Sequence, residues 1–137
     1  MAVVLLQQPD FGKRGAATAM KARFTYLDDG EAFTFPTIPA GSVISSIMRN
    51  VVETFDSGSS DEVTVGESGG DTDELVAAAD SDLTTLGMNA DTSNAADGVP
   101  FQVASDYTPV MTYASGGTAP SQGICDVTIL VLNLNDA

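Results

Sequence analysis

The chain has 137 residues, 43% of them apolar, which suits one domain with one hydrophobic core. Five lysines and arginines stand against nineteen aspartates and glutamates, and the resulting net charge of −14 excludes binding to a phosphate backbone. No apolar run approaches the roughly 20 residues that a membrane helix needs, and no signal peptide is visible. We therefore expect a protein that is made in a cytoplasm-like compartment and has neither a nucleic-acid nor a membrane partner.

The N-terminal segment predicts a strand followed by a connector. Val3–Gln8 is apolar and rich in β-branched residues and ends at Pro9, which is typical of an edge strand or of an arm that adds to a sheet. Residues 10–15 then form a glycine-bounded polar connector that carries Lys13 and Arg14.

A hairpin is predicted after this connector. Thr18–Tyr26 alternates apolar and polar side chains, as a half-buried strand does, and its outward side chains include Lys21 and Arg23. Asp28-Asp29-Gly30 signals a tight turn, and Ala32–Phe35 is the expected returning strand. The side chains expected to point into the core are Met20, Ala22, Phe24 and Tyr26.

Two structures fit Val43–Phe55. Its apolar residues recur at helical spacing, whereas its β-branched content and the strand-like segments on both sides favour a strand. In a strand, either face would mix polar and apolar side chains, which requires a bulge near Ser45-Ser46 or Arg49-Asn50. We expect a long, bulged strand.

The middle of the chain predicts one strand, one short helix and a long loop. Glu62–Gly66 is a compact strand. Asp71 and Glu74 have the spacing of a capping box, so a short helix that includes Leu75–Ala79 is expected to cover the sandwich as a lid. Asp80–Gly98 is polar and is expected to be a loop. The expected apolar anchors of this loop are Leu83, Leu86 and Met88.

The last third predicts three strands, Pro100–Ala104, Val110–Tyr113 and Ile124–Leu134. The last is the longest apolar run, and it favours a central strand that is covered on both faces. Cys125 lies in this run, and we expect a small buried hydrophobic residue and not a reactive thiol. About eight strands and one short helix predict an all-β protein, an antiparallel β-sandwich or jelly roll. We divide it into an N-terminal arm, residues 1–17, and a β-sandwich domain, residues 18–137.

Nothing in the sequence points to catalysis or to a cofactor. The chain has no histidine, no nucleophile motif and no phosphate-binding loop, so we expect no enzyme and no cofactor. Asp71–Glu74 and Asp80–Asp82 are oxygen-rich and are the candidates for calcium, but neither has the pattern of an EF-hand loop. A helix cap and a solvated loop are the simpler interpretations, and we expect no metal site.

Charge is distributed unevenly along the chain. All five cations lie within residues 1–50, beside four acids, whereas residues 51–137 hold fifteen acids and no cation. We expect the near-neutral first part to face a partner and the acidic remainder to face solvent. The residues predicted to form this interface are Val3, Val4, Leu5, Leu6, Lys13, Arg14, Lys21 and Arg23.

Four segments between residues 36 and 134 carry a resemblance to a known group of proteins. They are Ile38–Ile44 (IPAGSVI), Glu53–Asp56 (ETFD), Val63–Gly66 (VTVG) and Leu75–Leu83 (LVAAADSDL). In this pattern the chain resembles the small proteins that decorate, or cement, the capsids of tailed bacteriophages. The resemblance implies a β-sandwich or jelly roll that binds the major capsid protein on the outer surface of the virion, commonly as a homotrimer, and it favours a strand for residues 43–55.

Two other functions stay open at this point. One is a phage tail, baseplate or head-fibre component that binds a host surface. The other is a carbohydrate- or calcium-binding β-sandwich module. The number of copies per particle separates a shell protein from a tail component, and a response to calcium identifies a calcium module.

Overall fold

A computed structural model of the chain describes residues 3–11, 16–77, 83–91 and 100–134, with residues 89–91 described by their backbone alone. The described residues form two antiparallel β-sheets that enclose one core, so the all-β sandwich predicted from the sequence is confirmed. No helix among these residues is long and apolar enough to cross a membrane. In chain order the strands are β1 (Val4–Gln7), β2 (Ala17–Thr25), β3 (Ala32–Thr34), β4 (Val43–Glu53), β5 (Ser60–Glu67), β6 (Gly87–Asp91), β7 (Phe101–Gln102), β8 (Pro109–Gly116) and β9 (Ile124–Leu132).

The larger sheet has six strands in the order β1-β2-β9-β4-β6, and the short β7 pairs with the beginning of β4. β9 lies between β2 and β4 and pairs with each along its length. The central position predicted for the longest apolar run is therefore correct. The smaller sheet has three strands in the order β3-β8-β5.

The strand predicted for residues 43–55 is confirmed, and it carries a bulge where one was expected. The pairing of β4 with β9 shifts register between Ile44 and Ser46 and again near its end. Ile44 and Ile47 both point into the core, three residues apart, and the alternation then continues through Val51. An extra residue in a bulge turns a spacing of two into three, which explains why the segment imitates a helix.

The predicted hairpin is wrong. Thr25 and Asp28 form a reciprocal capping box around a 3-10 turn, Tyr26–Asp28, at the end of β2. This turn leads the chain across the sandwich, so β3 pairs with β8 in the other sheet and not with β2. Asp28 thus ends a strand by holding the Thr25 backbone N–H, and the turn residues that signal a hairpin here mark a crossing between sheets.

The short helix predicted to begin at Asp71 is also wrong over the described residues 71–77. Asp71 accepts a hydrogen bond from the backbone N–H of Asp73, and Val76 forms an isolated bridge with Val65. Leu75 and Val76 are fully buried, so the segment packs its apolar residues into the core as an extended chain. A β-carbon at Gly66 would lie 2.2 Å from the Asp71 carbonyl oxygen, which shows how closely the segment crosses β5.

Only one of the three expected anchors of the long loop is buried. Leu83 lies in the core, whereas Leu86 and Met88 are both 64% exposed. The prediction for Leu86 and Met88 is wrong because β6 pairs with β4 here and Met88, opposite Asn50, faces outward. The remainder of Asp80–Gly98 lies mostly outside the described residues.

The core fills the space between the inward faces of the sheets. Phe24, Phe55 and Tyr113 pack together at one end, with ring centroids 5.0–5.5 Å apart. Met20, Ala22 and Phe24 are buried as predicted, and Tyr26 packs against the core from the 3-10 turn.

Candidate interaction surface on the six-stranded sheet

The predicted N-terminal interface residues divide between two faces of β1. Val3 and Leu5 are half-buried and pack against the core, whereas Val4 and Leu6 are 52% and 46% exposed. β1 lies at the edge of the larger sheet and pairs with β2, with Val4 opposite Arg23 and Leu5 opposite Ala22. Only the second pair of these residues is therefore available to a partner.

Two of the predicted cations share the outward face of β2. Lys21 and Arg23 alternate with the buried Ala22 and Phe24, as the sequence predicts. Lys13 and Arg14 lie outside the described residues. The fifth cation, Arg49, points inward from β4 and is 1% exposed, so it adds no charge to the surface.

An ion pair joins β2 to the central strand on this outward face. Arg23 donates from Nε to Asp126 Oδ1 over 2.7 Å and from Nη2 to Oδ2 over 3.0 Å. Lys21 Nζ lies 3.6 Å from the same Oδ2, which is too long for a hydrogen bond. Asp126 is 3% exposed although it points away from the core, because its neighbours cover it. Its hydrogen bonds and its charge raise the pKa of Arg23 above the ordinary value.

The rest of this outward face, here called the outer face, is largely apolar. Cross-strand pairing places Ala19 and Ser46 beside Leu130 and places Ala17 and Val43 beside Leu132. These residues lie towards the end of the sheet that holds the beginning of β2, and the ion pair lies nearer the other end. The described outward residues include Val4 and Gln7 of β1, Ala17, Ala19, Lys21, Arg23 and Thr25 of β2, Ile124, Asp126, Thr128, Leu130 and Leu132 of β9, Val43, Ser46, Met48, Asn50, Val52 and Glu53 of β4, Met88 of β6, and Gln102 of β7.

Sequence reasoning did not single out Asp126, Met48 and the outward leucines of β9, which share the outer face with Lys21 and Arg23. A signal for the leucines was present, because Ile124–Leu132 does not alternate and is apolar on both sides. The prediction that β9 is covered on both faces is only half fulfilled within the described chain. Its inward residues are buried, whereas Leu130 and Leu132 stay partly open to solvent.

The outward face of the three-stranded sheet is polar. Its cross-strand rows pair Ala32 with Thr112 and Thr64, and Glu62 with Ala114. A further row joins Thr34, Val110 and Gly66, and Val110 is buried. Alanine and threonine offer little apolar area, and Glu62 adds a negative charge. This face resembles an ordinary solvated sheet surface.

Several acidic side chains hold loops in place. Asp29 accepts hydrogen bonds from the backbone and the hydroxyl of Ser115, and Asp56 does the same for Ser121. The hydroxyl and then the backbone N–H of Ser121 lower the pKa of Asp56 below its ordinary value. These carboxylates therefore hold the chain at the ends of the strands through hydrogen bonds to backbone and hydroxyl groups.

On the side of the smaller sheet, two tyrosine hydroxyls donate hydrogen bonds to carboxylates. Tyr113 donates to Asp61 over 2.7 Å and Tyr107 to Glu74 over 2.6 Å. Burial, followed by the hydrogen bond to a carboxylate, raises the pKa of each tyrosine. Both phenols stay protonated and act as fixed donors.

The calcium candidates are only partly described. Within Asp71–Glu74, Asp71 caps a turn and Glu74 accepts from Tyr107. Asp80–Asp82 lies outside the described residues. The described part of the chain contains no group of three or more histidine, cysteine, aspartate or glutamate side chains placed to hold a metal ion.

Cys125 lies on the inward face of β9 and is fully buried, as predicted. Burial is the main cause that raises the pKa of its thiol to about 12. At neutral pH the thiol is therefore protonated, and it packs as a small apolar side chain.

Comparisons with known proteins give a likeness in fold. No protein-family model matches the sequence, and no curated protein matches it. A chain of the acid-stable capsid of Helicobacter pylori bacteriophage KHP30 superimposes with a TM-score of 0.62 and 13% identity, covering 90% of this chain and 92% of that one. A chain of the capsid asymmetric unit of cyanophage Pam1 superimposes with a TM-score of 0.64 and 15% identity, covering 93% and 92%. At this identity the likeness defines the architecture that the chains share.

Proposed function

We propose that the chain is a structural protein of a bacteriophage virion, a decoration (cement) protein that binds the outer surface of the major capsid shell and stabilises it. The observation that carries this proposal is the likeness in fold to chains of two phage capsid structures. It agrees with the resemblance of Ile38–Leu83 and the C-terminal apolar run to decoration proteins, which is independent of the superposition.

The coverage of both superpositions favours a small capsid component. Each alignment takes in nine-tenths or more of this chain and of its counterpart, so the chains are close in length. The likeness therefore extends over almost the whole of each counterpart chain and not over a piece of a larger one. A subunit of this size suits a protein that is added to a shell.

The chemistry of the chain suits a scaffold and not a catalyst. Its displaced pKa values belong to groups with structural tasks: Cys125 packs in the core, Tyr107 and Tyr113 fix carboxylates, and Asp56 holds a loop. The acidic surface would keep particles apart and away from nucleic acid. We propose a homo-oligomer, by preference a trimer, that is made in the host cytoplasm and has no nucleic-acid or membrane partner.

Copy number in purified particles tests this function. A shell protein is expected in hundreds of copies per particle, and shells that carry it are expected to resist heat better than shells that lack it. A dozen copies or fewer would contradict the proposal and favour a tail, baseplate or head-fibre component. Thermal stabilisation of the free chain by calcium, reversed by a chelator, would favour the calcium module.

Deletion of residues 1–8 tests the part of the interface predicted from the sequence. The deletion removes β1, an edge strand, and leaves β2, β9 and β4 paired as before. We expect a folded protein that no longer binds particles. Undiminished binding by a folded deletion variant would remove Val3–Leu6 from the interface.

A further inference from the structure

We infer that the outer face of the six-stranded sheet, and not the N-terminal strand alone, is the surface that docks on the shell, and that the shell subunit presents an apolar patch with a carboxylate placed to reach Lys21. This inference rests on the proposed function, because it names the chemistry of the partner that the function requires.

The first argument is the placement of apolar residues. A strand that is apolar on both sides belongs to a sheet that is covered on both sides. The outward residues Ile124, Leu130 and Leu132 give β9 this composition, and all three are only half-buried, so the described chain leaves this side of β9 partly open to solvent. The exposed apolar side chains Val4, Val52 and Met88 lie on the same face, with Val4 and Met88 at its opposite edges.

The second argument is the size of the outer face. The outermost strands β1 and β6 have four and five residues, and the three strands between them have nine to eleven. At about 3.3 Å per residue and about 4.8 Å between strands, the sheet covers about 600 Å², which is about three quarters of the ~800 Å² that one partner buries in a stable interface of standard size. A contiguous apolar patch of a few hundred Å² on a protein surface is typical of an interaction site.

The third argument is the distribution of charge, which determines which face of the chain attracts a partner that presents a carboxylate. Among the described residues, the exposed cations are Lys21 and Arg23, and both lie on the outer face. Arg23 is already bonded to Asp126 through two nitrogens, whereas the Lys21 ammonium lies 3.6 Å from Asp126 and can donate elsewhere. A partner with a carboxylate opposite Lys21 would be attracted here and repelled by the acidic remainder of the surface.

A second copy of the chain is the other possible occupant, and the same charges disfavour it. Two copies stacked outer face to outer face would bring together chains of net charge −14 each. The matching face offers Asp126 as its central carboxylate, and Asp126 is occupied by Arg23 of its own chain. The other carboxylate of the face, Glu53, lies at its end opposite Ile124 and accepts a hydrogen bond from the Gly123 backbone N–H. Neither Lys21 would therefore gain a free carboxylate at the centre of such a contact.

The test measures binding of purified chain to shells of the major capsid protein that lack it. Leu130→Glu places a charge on the central strand of the outer face, among its apolar residues. Thr112→Glu is the matched control, because Thr112 is also half-buried, outward and on the central strand of its sheet. We expect Leu130→Glu to weaken binding at least a hundredfold and Thr112→Glu to leave it within twofold, with thermal unfolding recorded for both variants.

A second, gentler variant covers the case in which Leu130→Glu fails to fold. Lys21→Gln removes the available cation and leaves the Arg23–Asp126 pair intact. We expect it to weaken binding about tenfold at low salt and to reduce the dependence of the dissociation constant on salt concentration. Unchanged salt dependence would contradict a carboxylate opposite Lys21.

The outcomes separate the two proposals. If the wild-type chain does not bind shells at all, the proposed function fails. If the wild type binds and a folded Leu130→Glu binds equally well, the function stands and the docking face is elsewhere. If Leu130→Glu instead converts an oligomer in solution into monomers and leaves shell binding unchanged, the outer face belongs to a second copy, which also overturns the inference.

Discussion

The two sheets enclose one core, yet their outward faces have opposite character. The six-stranded sheet shows leucine, valine and methionine around a single ion pair, whereas the three-stranded sheet shows alanine, threonine and Glu62. Both faces point away from the core, so core packing alone does not explain the difference. The contrast shows that the two sheets share one core but differ in what their outward faces offer, and this difference is what the proposed docking on the shell would explain.

Charge follows the same contrast. The outer face holds two cations, Lys21 and Arg23, that both pair with Asp126, and a second carboxylate, Glu53, lies opposite Ile124 at its end, so its charges balance. The acids of the other surfaces, such as Asp29 and Asp56, serve loops at the ends of the strands and face water. The chain carries a net charge of −14, so the outer face differs in charge from the rest of the surface.

The largest expected effect separates the two sides of β9. Ile129 is fully buried and faces the core, so Ile129→Ala should lower the free energy of unfolding by about 2–4 kcal/mol through lost burial and a cavity. Its neighbour Leu130 faces outward, and Leu130→Ala should cost less than about 1 kcal/mol. Urea denaturation measures both, and equal losses would mean that the outer face is covered within the free chain.

The buried thiol of Cys125 predicts a loss of stability at alkaline pH. The folded pKa of Cys125 is raised to about 12 while an unfolded thiol titrates near ~8.5, so the stabilising effect is complete below ~8.5 and is lost as pH rises towards 12. The loss should approach ~1.4 kcal/mol per pH unit. Cys125→Ala should flatten this slope in denaturation curves recorded between about pH 8 and 11.

The ion pair of the outer face gives the next effect. Arg23→Gln would leave the buried carboxylate of Asp126 with Lys21 at 3.6 Å as its nearest cation. We expect a loss of about 1–2 kcal/mol, limited because Arg23 itself is 41% exposed. Lys21→Gln is the control and should change stability by less than about 0.5 kcal/mol. A similar loss from both variants would show that Asp126 depends on total charge and not on the bidentate contact.

The loss of a buried hydrogen bond between Tyr113 and Asp61 should cost somewhat less stability than the loss of the ion pair. Tyr113→Phe removes the donor to Asp61 and should cost about 1 kcal/mol. Tyr107→Phe removes the donor to Glu74, which is only half-buried, and should cost less. Thermal unfolding of the two variants side by side measures the difference, and the reverse order would contradict the role assigned to burial.

The smallest expected effect lies on the acidic surface. The pKa of Asp56 is lowered in the folded chain, so its contribution is present above the unfolded pKa of ~3.9 and is lost as pH falls through the folded value. Asp56→Asn should therefore lower the melting temperature slightly at pH 7 and make no difference at the lowest pH at which the protein stays folded. A gap between the variants that persists unchanged at low pH would show that charge is not the cause.

Local patterns predicted the strands where the period of two is clear. Met20, Ala22 and Phe24 alternate with Lys21 and Arg23, and the structure places them on opposite faces. For β4 the composition was decisive and the periodicity misleading, because a bulge at Ser45 disturbs the alternation. The expected bulge could be inferred, since an amphipathic strand with a mixed face has few other solutions.

Pairing partners could not be read from the same patterns. The turn signal at Asp28-Asp29-Gly30 is genuine, yet the capping of the Tyr26–Asp28 turn directs the chain to the other sheet. The helical composition of Leu75–Ala79 was overridden over its described part, because Leu75 and Val76 gain more from burial beside Val65 than from a surface turn. In both cases the structure of the segment depends on residues that are distant in the sequence.

The candidate surface, too, was only partly predictable from the sequence. The expectation that residues 1–50 form one side of the molecule does not hold in space, because β3 joins the smaller sheet and β9, from the end of the chain, lies beside β2. Arg49, one of the five cations of residues 1–50, is 1% exposed and points into the core. The outward placement of Lys21 and Arg23 could be predicted because β2 alternates, whereas the run Val3–Leu6 has no alternation that separates Val4 and Leu6 from Val3 and Leu5.

The sequence by itself determined an acidic, all-β protein with a central apolar strand and two outward cations, because composition and period-two alternation act within a few residues. The tertiary structure decided that β2 and β9 lie side by side, that Arg23 meets Asp126 across 103 positions of chain, and that the outward leucines join Val43 and Met48 in one face. Strand order has no local signature, since any two strands with apolar faces can pair, and only the packing of the whole sandwich selects among the possible partners.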